Sequence, residues 1–195
     1  MNKLLLLLSL FVASANASIV TYTDQAAWLA ATGTTSLYDF NSDANGSFTS
    51  KDFGPFEAEL INGSSSPAIS SGELMLQDYN YASELKVTFD SSLSAFGFDW
   101  RNTDPTGDQM ELTILGQSFV FGPSQSSGFF GLTSTVLFDS LGFSDSVGNG
   151  GVLSYGYLDN FRTANAVSAV PVPAALLMFG PALLGFFGLR RKANA

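Results

Sequence analysis

The chain has 195 residues, enough for one domain of ordinary size with short additional segments at its ends. It contains neither cysteine nor histidine, which excludes a disulfide framework, thiol chemistry and the residue most used as general base and transition-metal ligand. Seventeen acidic residues against eight basic ones give a formal charge of −9, and so acidic a chain repels nucleic acid. The 18 phenylalanines and 19 glycines favour a β-rich fold with many tight turns.

The first 17 residues predict a secretory signal peptide. Lys3 precedes an apolar run over residues 4–12, and the small residues that follow end in Ala15-Asn16-Ala17. A cation, an apolar core of this length and an Ala-x-Ala site are the three parts of such a signal. We expect cleavage after Ala17, so that the mature chain begins at Ser18. An uncleaved membrane anchor is the alternative, and the small residues at the cleavage site disfavour it.

Residues 18–165 predict one all-β domain. The segment 18–22 is a first strand, and Asp24 caps a short helix over residues 25–31 that ends at Gly33. Apolar or alternating segments then recur, separated by Asn-Gly pairs and Ser-rich turns, at residues 36–40, 53–61, 73–77, 85–89, 93–100, 110–115, 118–121, 128–132, 136–143 and 152–161. Short strands at this spacing with one short N-terminal helix indicate an antiparallel β-sandwich or jelly roll.

All the acidic residues lie within this domain, which contains 17 carboxylates and four basic side chains and so has a formal charge of −13. Solubility outside the cell explains such a balance, and so does the binding of divalent cations. One loop places Asp39, Asn41, Asp43 and Asn45 at alternate positions, and oxygen ligands of this kind suit a structural Ca²⁺. The loop lacks the final Glu of an EF-hand. The alternative is that Asp, Asn and Gly simply form turns here.

Aromatic side chains beside polar ones are the candidates for contact with carbohydrate, because sugars bind through ring faces and hydrogen bonds. The candidate pairs are Tyr79 with Tyr81, Trp100 with Arg101, and Tyr155 with Tyr157. Phe96, Phe98 and Trp100 share one strand face, which favours a core position for Trp100. Tyr79 and Tyr81 flank Asn80 in a predicted loop and form the better exposed pair.

Catalysis in a chain without His or Cys would depend on carboxylates or on a Ser-Lys arrangement. Ser83 and Lys86 have the spacing of a Ser-x-x-Lys nucleophile, but the residues that follow continue a strand, whereas that nucleophile opens a helix. Glycosidases use two carboxylates across a cleft, and a domain with so many acids can supply a pair. A carbohydrate-active hydrolase is therefore the alternative to a non-enzymatic protein, and the sequence assigns no catalytic residue.

Residues 166–195 contain a linker with a Pro-spaced motif over 166–173, an uncharged apolar run over 174–189, and a basic cluster. A helix over the run is about 24 Å long, which is short for a hydrocarbon core of about 30 Å, although the basic side chains can extend it. Residues 174–195 are thus predicted to form a transmembrane helix with a basic cytoplasmic tail. The motif residues are Val170, Pro171, Pro173, Ala174, Arg190, Arg191 and Lys192.

This segment resembles the PEP-CTERM sorting signal of Gram-negative bacteria, in which a Val-Pro-Glu-Pro-type motif precedes a short apolar helix and an Arg-rich end. Because Val172 stands where that motif has Glu, the segment is similar to the Val-Pro-Leu-Pro-Ala variant of the signal. The resemblance implies an exosortase-like sorting enzyme as partner. It also implies export, transient anchoring in the inner membrane through the C-terminal helix, and delivery to the cell surface or extracellular matrix.

Parts of the domain also resemble the passenger domains found ahead of this signal, which look like adhesive jelly rolls. The segments are Phe96-Gly97-Phe98-Asp99-Trp100, Gly128-Phe129-Phe130-Gly131 and Leu158-Asp159-Asn160-Phe161. In jelly-roll modules of this kind an acid on the last strand joins an early loop at a structural calcium, and Asp159 would hold that place. We therefore expect a surface-sorted, non-enzymatic protein that associates with extracellular polysaccharide or the cell surface. A purely structural surface component is a third possibility.

Overall fold

The computed structural model describes residues 18–62, 65–78, 84–105, 107–146 and 154–165. The predicted signal peptide, the sorting motif from Val170 to Lys192, the predicted transmembrane helix, and Tyr79 and Tyr81 lie outside the described residues. Within those ranges, no helix has the length and apolar character needed to cross a membrane.

The described chain is built almost entirely of antiparallel strands, with one α-helix near its start. The strands are β1 Ile19–Tyr22, β2 Ser36–Tyr38, β3 Gly46–Ser47, β4 Ser50–Asp52, β5 Phe56–Asn62, β6 Ala68–Ser70, β7 Glu73–Asp78, β8 Glu84–Asn102, β9 Gln109–Ile114, β10 Gln117–Phe121, β11 Ser126–Ser146 and β12 Ser154–Ala164. The helix α1 spans Gln25–Thr32. The predicted all-β class with a short N-terminal helix is confirmed.

Two long strands, β8 and β11, run through both layers of a sandwich. Residues 84–90 at the start of β8 pair with residues 140–146 at the end of β11 in the first layer. This layer continues from β8 through β5 to β4, and from β11 through β9 to β10. The remaining portions of β8 and β11, 95–102 and 126–134, pair in the second layer, which β1 and β12 flank. Beyond β12 this layer continues through β2 and through β7, β6 and β3.

Phenylalanine rings fill the space between the two layers. Phe98 of the second layer meets Phe143 of the first edge to face, with ring centres 5.2 Å apart. Phe56 of the first layer lies 5.4 Å from Phe161 of the second. These rings belong to one continuous cluster of buried side chains, and edge-to-face and tilted contacts of this kind stabilise a core beyond simple burial.

For each of the two long strands, the sequence pattern wrongly predicts two separate strands. Segments 85–89 and 93–100 form the single strand β8, because Asp90, Ser91 and Ser92 remain in extended backbone while their side chains are exposed. Segments 128–132 and 136–143 form β11, where shifts in register near Phe138 mark an irregularity of the bulge type, which lets a strand bend without ending. Strands β3, β4 and β6 were not predicted because two or three residues carry no periodic pattern.

Helix α1 packs on the outer face of the second layer. Asp24 caps its N-terminus by accepting a 2.7 Å hydrogen bond from the amide of Ala27, and Gly33 ends it with a φ of 74°, as predicted. Trp28 is fully buried beneath the helix and donates its indole N–H to the Leu132 carbonyl at 3.0 Å. A Cβ at Gly131 would lie 2.7 Å from the Trp28 ring, so glycine is required there for the helix to approach the sheet.

Candidate functional site

The outer face of the second layer, beyond α1, carries a row of polar side chains. Side chains alternate along β8, so Phe96 and Phe98 enter the core while Asp99 and Arg101 point outward. On β12 the residues opposite Asp99 and Arg101 are Asp159 and Tyr157. Strand pairing therefore brings charged and aromatic groups that are distant in sequence onto one surface.

Arg101 is held in a fixed position at the centre of this face. Its guanidinium carbon lies 3.8 Å from the centre of the Tyr157 ring, which is a cation–π contact. Its Nε donates to Glu73 Oε1 at 3.4 Å and its Nη2 forms an ion pair with Glu73 Oε2. The hydrogen bond with Glu73 raises the pKa of Arg101 above its ordinary value. Stacking and a two-point ion pair together leave the guanidinium little freedom.

A second basic residue, Arg162, pairs with the next carboxylate along β8. Its Nη2 lies 3.1 Å from Asp99 Oδ2, and its Nη1 donates to the Asn160 carbonyl at 2.9 Å. The pairing of β12 with β8 shifts register between Asp159 and Arg162, and Asn160 takes a φ of 53° there. Asn tolerates this left-handed conformation better than most residues, and bulges of this type redirect side chains beside functional sites.

The Asn160 amide joins the two neighbouring carboxylates. Its Nδ2 donates to Asp99 Oδ2 at 2.9 Å and to Asp159 Oδ2 at 3.1 Å, and its backbone N–H donates to Asp159 Oδ1 at 2.6 Å. Burial raises the pKa of Asp159, and the charges of Glu73, Asp99 and Asp39 add to that rise. Among the described residues, no cation lies within ion-pair distance of Asp159. Glu73 and Asp99 each form an ion pair with an arginine, whereas Asp159 on the same face forms none within the described part of the chain.

Two shallow cavities open on this surface and share Arg101 and Ser127 as lining residues. The first, of about 320 Å³, is lined also by Glu73, Asp99 and Asp159, together with Trp100 and Gly128. The second, of about 390 Å³, lies toward the end of β8 and the start of β11, and is lined by Asn102, Thr103, Gln125 and Ser126. Both are open to solvent, and most of the residues that line them have polar side chains.

Of the predicted glycan contacts, the structure describes Trp100, Arg101, Tyr155 and Tyr157, and the first two line the first cavity. Trp100 is half-buried and packs against the core, with its ring centre 6.3 Å from that of Phe121. Arg101 points outward and stacks on Tyr157, the partly buried ring that the sequence also proposes as a contact.

The predicted calcium residues do not form one cluster, although Asp39 is near enough to Asp159 for its charge to raise the pKa of that carboxyl. Asp43 Oδ1 is 2.9 Å from Lys51 Nζ, and Asp43 Oδ2 accepts a 2.7 Å hydrogen bond from the Tyr38 hydroxyl. Asn45 Oδ1 accepts from the Ser71 amide at 3.0 Å, and Asp39 precedes a short 3₁₀ turn. Asp159 lies on the outer face described above. Across the residues that the structure describes, no three acidic side chains are grouped as metal ligands, and the three oxygens of Asp43 and Asn45 already have protein partners.

Four residues of this face, Glu73, Asp99, Asn160 and Arg162, were not predicted as site residues from the sequence. Glu73 opens β7, 28 residues before Arg101, and Arg162 lies 63 residues after Asp99. Alternation along β8 predicts that Asp99 and Arg101 share a face, and this is a pattern in the sequence that indicates residues of the site. Nothing in the local pattern predicts which distant strands supply their partners.

Neither a protein-family model nor a curated protein matches the chain. Among solved structures, it overlaps a point mutant of a family 29 carbohydrate-binding module complexed with mannohexaose, at 13% identity and a TM-score of 0.46, over 68% of this chain and 94% of that one. A second point mutant of that module overlaps at 15% identity and a TM-score of 0.43, over 72% and 100%. A family 29 carbohydrate-binding module overlaps at 14% identity and a TM-score of 0.41, over 72% of this chain and 99% of that one. With TM-scores below 0.5, these overlaps assign neither a family nor a ligand to this chain.

Proposed function

We propose that this chain is an exported, surface-sorted, non-enzymatic protein whose outer sheet face binds extracellular polysaccharide. The observation that carries the proposal is the immobilised Arg101, stacked on Tyr157 and paired with Glu73 beside two open cavities. Sugar rings are bound through planar groups and oriented hydrogen bonds, and a preorganised arginine costs less entropy on binding than a free one. The shallow shape of the cavities favours a polymer lying along the surface.

The predicted signal peptide and the predicted C-terminal sorting segment support export to a location where polysaccharide occurs. The signal peptide before Ser18 and the PEP-CTERM-like tail from Val170 to Lys192 would export the domain and carry it, through an exosortase-like enzyme, to the cell surface or matrix. Fractionation of expressing cells tests this part. Mature protein starting at Ser18 in the surface or extracellular fraction is expected, whereas intact chain retained in the cytoplasm would exclude export.

A hydrolase is the second candidate, and one observation favours it. Asp99 and Asp159 lie opposite each other on paired strands, and burial raises the pKa of Asp159 toward the range of a general acid. Against this, Asp99 is already paired with Arg162, and one amide, that of Asn160, donates to both carboxylates. This arrangement holds the two groups side by side along one shallow cavity that is open to solvent, whereas glycosidases place their two carboxylates across a cleft.

Binding and turnover are separated by one experiment. Purified protein is run in native gels containing glucomannan, xyloglucan or dextran, and the same mixtures are assayed for new reducing ends. Retardation by at least one polymer without new reducing ends is the expected result. Release of reducing ends that is lost in Asp159→Asn would favour the hydrolase, and absence of any retardation would favour a purely structural surface role.

A further inference from the structure

We propose, resting on the glycan binding proposed above, that this face takes the interior of an uncharged polysaccharide chain along one continuous groove. The groove, called here the Arg101 groove, consists of the two cavities that share Arg101 and Ser127. Two adjoining cavities with a common wall provide two successive binding positions, so neighbouring sugar units of one chain can occupy both.

The length of the Arg101 groove fits more than one sugar unit. Along the backbone of β8 the groove runs from Asp99 in the first cavity to Asn102, whose side chain is buried, in the second, a span of about 10 Å. Glu73 and Asp159 extend the first cavity across the neighbouring strands. Both cavities are open to solvent, so a chain can continue past the groove, and recognition of a chain end is not required.

The two positions present different hydrogen-bonding groups. The first offers carboxylate oxygens of Asp159, Asp99 and Glu73, which accept hydrogen bonds from sugar hydroxyls. The second offers the exposed side chains of Thr103 and Gln125, which both donate and accept. Because the Arg101 guanidinium covers one face of the Tyr157 ring, that face is closed to a sugar, and hydrogen bonding carries most of the recognition.

Charge selects the class of polymer. Arg101 and Arg162 are already paired with Glu73 and Asp99, which leaves Asp159 as the excess negative charge of the groove. A uronic acid placed beside Asp159 would bring a second carboxylate against it in a partly buried position, and like charges brought together at an interface disfavour binding. A neutral sugar instead donates a hydroxyl to the same carboxylate. The Arg101 groove therefore discriminates against acidic polysaccharides.

Chain length is tested by competition. Full-length protein in detergent is bound to immobilised glucomannan, xyloglucan or dextran, and manno-, cello- and isomalto-oligosaccharides of one to six units are added as competitors. Inhibition that rises with length beyond the disaccharide is expected. Equal inhibition by a monosaccharide and its hexasaccharide would overturn the two-position groove while leaving glycan binding intact. Failure of every neutral and acidic polymer to bind would overturn both proposals.

Variants test the positions and the charge separately. Asp159→Asn acts in the first cavity, and Gln125→Gly acts in the second without strain, because Gln125 has a φ of 53° that glycine adopts freely. Each is expected to weaken binding of the competing hexasaccharide about tenfold, the size of one or two hydrogen bonds. The matched control Asp90→Asn removes an exposed carboxylate from the part of β8 that lies in the first layer, and it should leave binding unchanged.

Polygalacturonate provides the charge test. The unmodified protein should bind it more weakly than any neutral polymer that it binds, and Asp159→Asn should narrow that difference while Asp90→Asn does not. Binding of polygalacturonate as strong as that of the neutral polymers would overturn the assignment of an uncharged ligand. Loss of binding by Gln125→Gly without any loss by Asp159→Asn would place the ligand outside the first cavity and also contradict the groove.

Discussion

Arg101 lies over the ring of Tyr157, with 3.8 Å between the guanidinium carbon and the ring centre, and this contact fixes a cation at the middle of an outer sheet face. The two residues are cross-strand neighbours on β8 and β12. Glu73, from a third strand, completes the arrangement through a two-point ion pair. The guanidinium is thus placed by three strands before any ligand arrives.

Arg101→Lys should weaken polysaccharide binding while the fold remains intact. Lysine keeps the charge but lacks the planar fork that stacks on Tyr157 and bonds Glu73 at two points, so the positioned donors are lost. We expect a loss of about 1–2 kcal/mol in binding free energy, roughly tenfold, measured by titration calorimetry. Lys86→Arg, a change of an exposed side chain on the other layer, is the control. Equal affinity of Arg101→Lys and the unmodified protein would show that the fork is not used.

Asp159→Asn should stabilise the fold, relative to the parent protein, as the pH rises above about 4. Burial raises the pKa of Asp159 in the folded state, so the unfolded chain binds fewer protons than the folded one between the ordinary carboxyl pKa of about 4 and the raised value. Within that window the stability contributed by Asp159 falls as the pH increases, and asparagine removes this penalty. The difference in Tm between variant and parent should therefore move in favour of the variant with increasing pH. A difference that is constant with pH would contradict the raised pKa.

Trp28→Ala should destabilise the whole sandwich. Trp28 is fully buried between α1 and the second layer, contacts Phe129 and donates to the Leu132 carbonyl. Removal of a buried aromatic ring of this size costs about 3–5 kcal/mol in the free energy of unfolding. The measurement is urea unfolding followed by circular dichroism. Val20→Ala, at a half-exposed position of β1, should change stability by less than about 0.5 kcal/mol. Similar small changes for both variants would mean that α1 does not belong to the folded unit.

A structural calcium is tested by thermal melting in Ca²⁺ and in EGTA. The sequence-based prediction requires a higher Tm in Ca²⁺, by ligand linkage, and loss of that difference in Asp43→Asn. Lys51 and the Tyr38 hydroxyl occupy both Asp43 oxygens in the structure, so an ion would have to displace them. Lys51→Met should therefore strengthen any calcium response. Superimposable melting curves in Ca²⁺ and EGTA for both the parent and Lys51→Met would contradict the prediction of a structural calcium.

Local patterns predicted more of the fold than of the site. Alternation and turn residues were sufficient to predict the β class, and Asp24 with Gly33 gave the limits of α1, because these signals act within a few residues. The union of segments 85–89 and 93–100 into β8 was not predictable, because polar residues at 90–92 look like a turn when the pairing of the strand is unknown. Outward positions for Asp99 and Arg101 follow from the same alternation.

The partners of those outward residues could not be predicted from one sequence. Glu73 and Arg162 reach Arg101 and Asp99 only through the order and register of β7, β12 and β8, which depend on long-range pairing. The bulge at Asn160 shifts that register, and the local sequence Asp159-Asn160-Phe161 carries no specific signal for it. A tyrosine at position 157 could be proposed as a contact, whereas its stacking with Arg101 required the structure.

Native-gel affinity electrophoresis of the parent protein and Arg101→Ala in glucomannan, xyloglucan and dextran tests glycan binding on this face most directly. Arg101→Ala removes the stacked cation and the wall shared by the two cavities, but it leaves the buried core unchanged, because Arg101 points outward from β8. Glycan binding by this face predicts that at least one polymer retards the parent protein, and that this retardation is lost in Arg101→Ala while circular dichroism shows the same fold. Identical mobility of the two proteins in every polymer would contradict it.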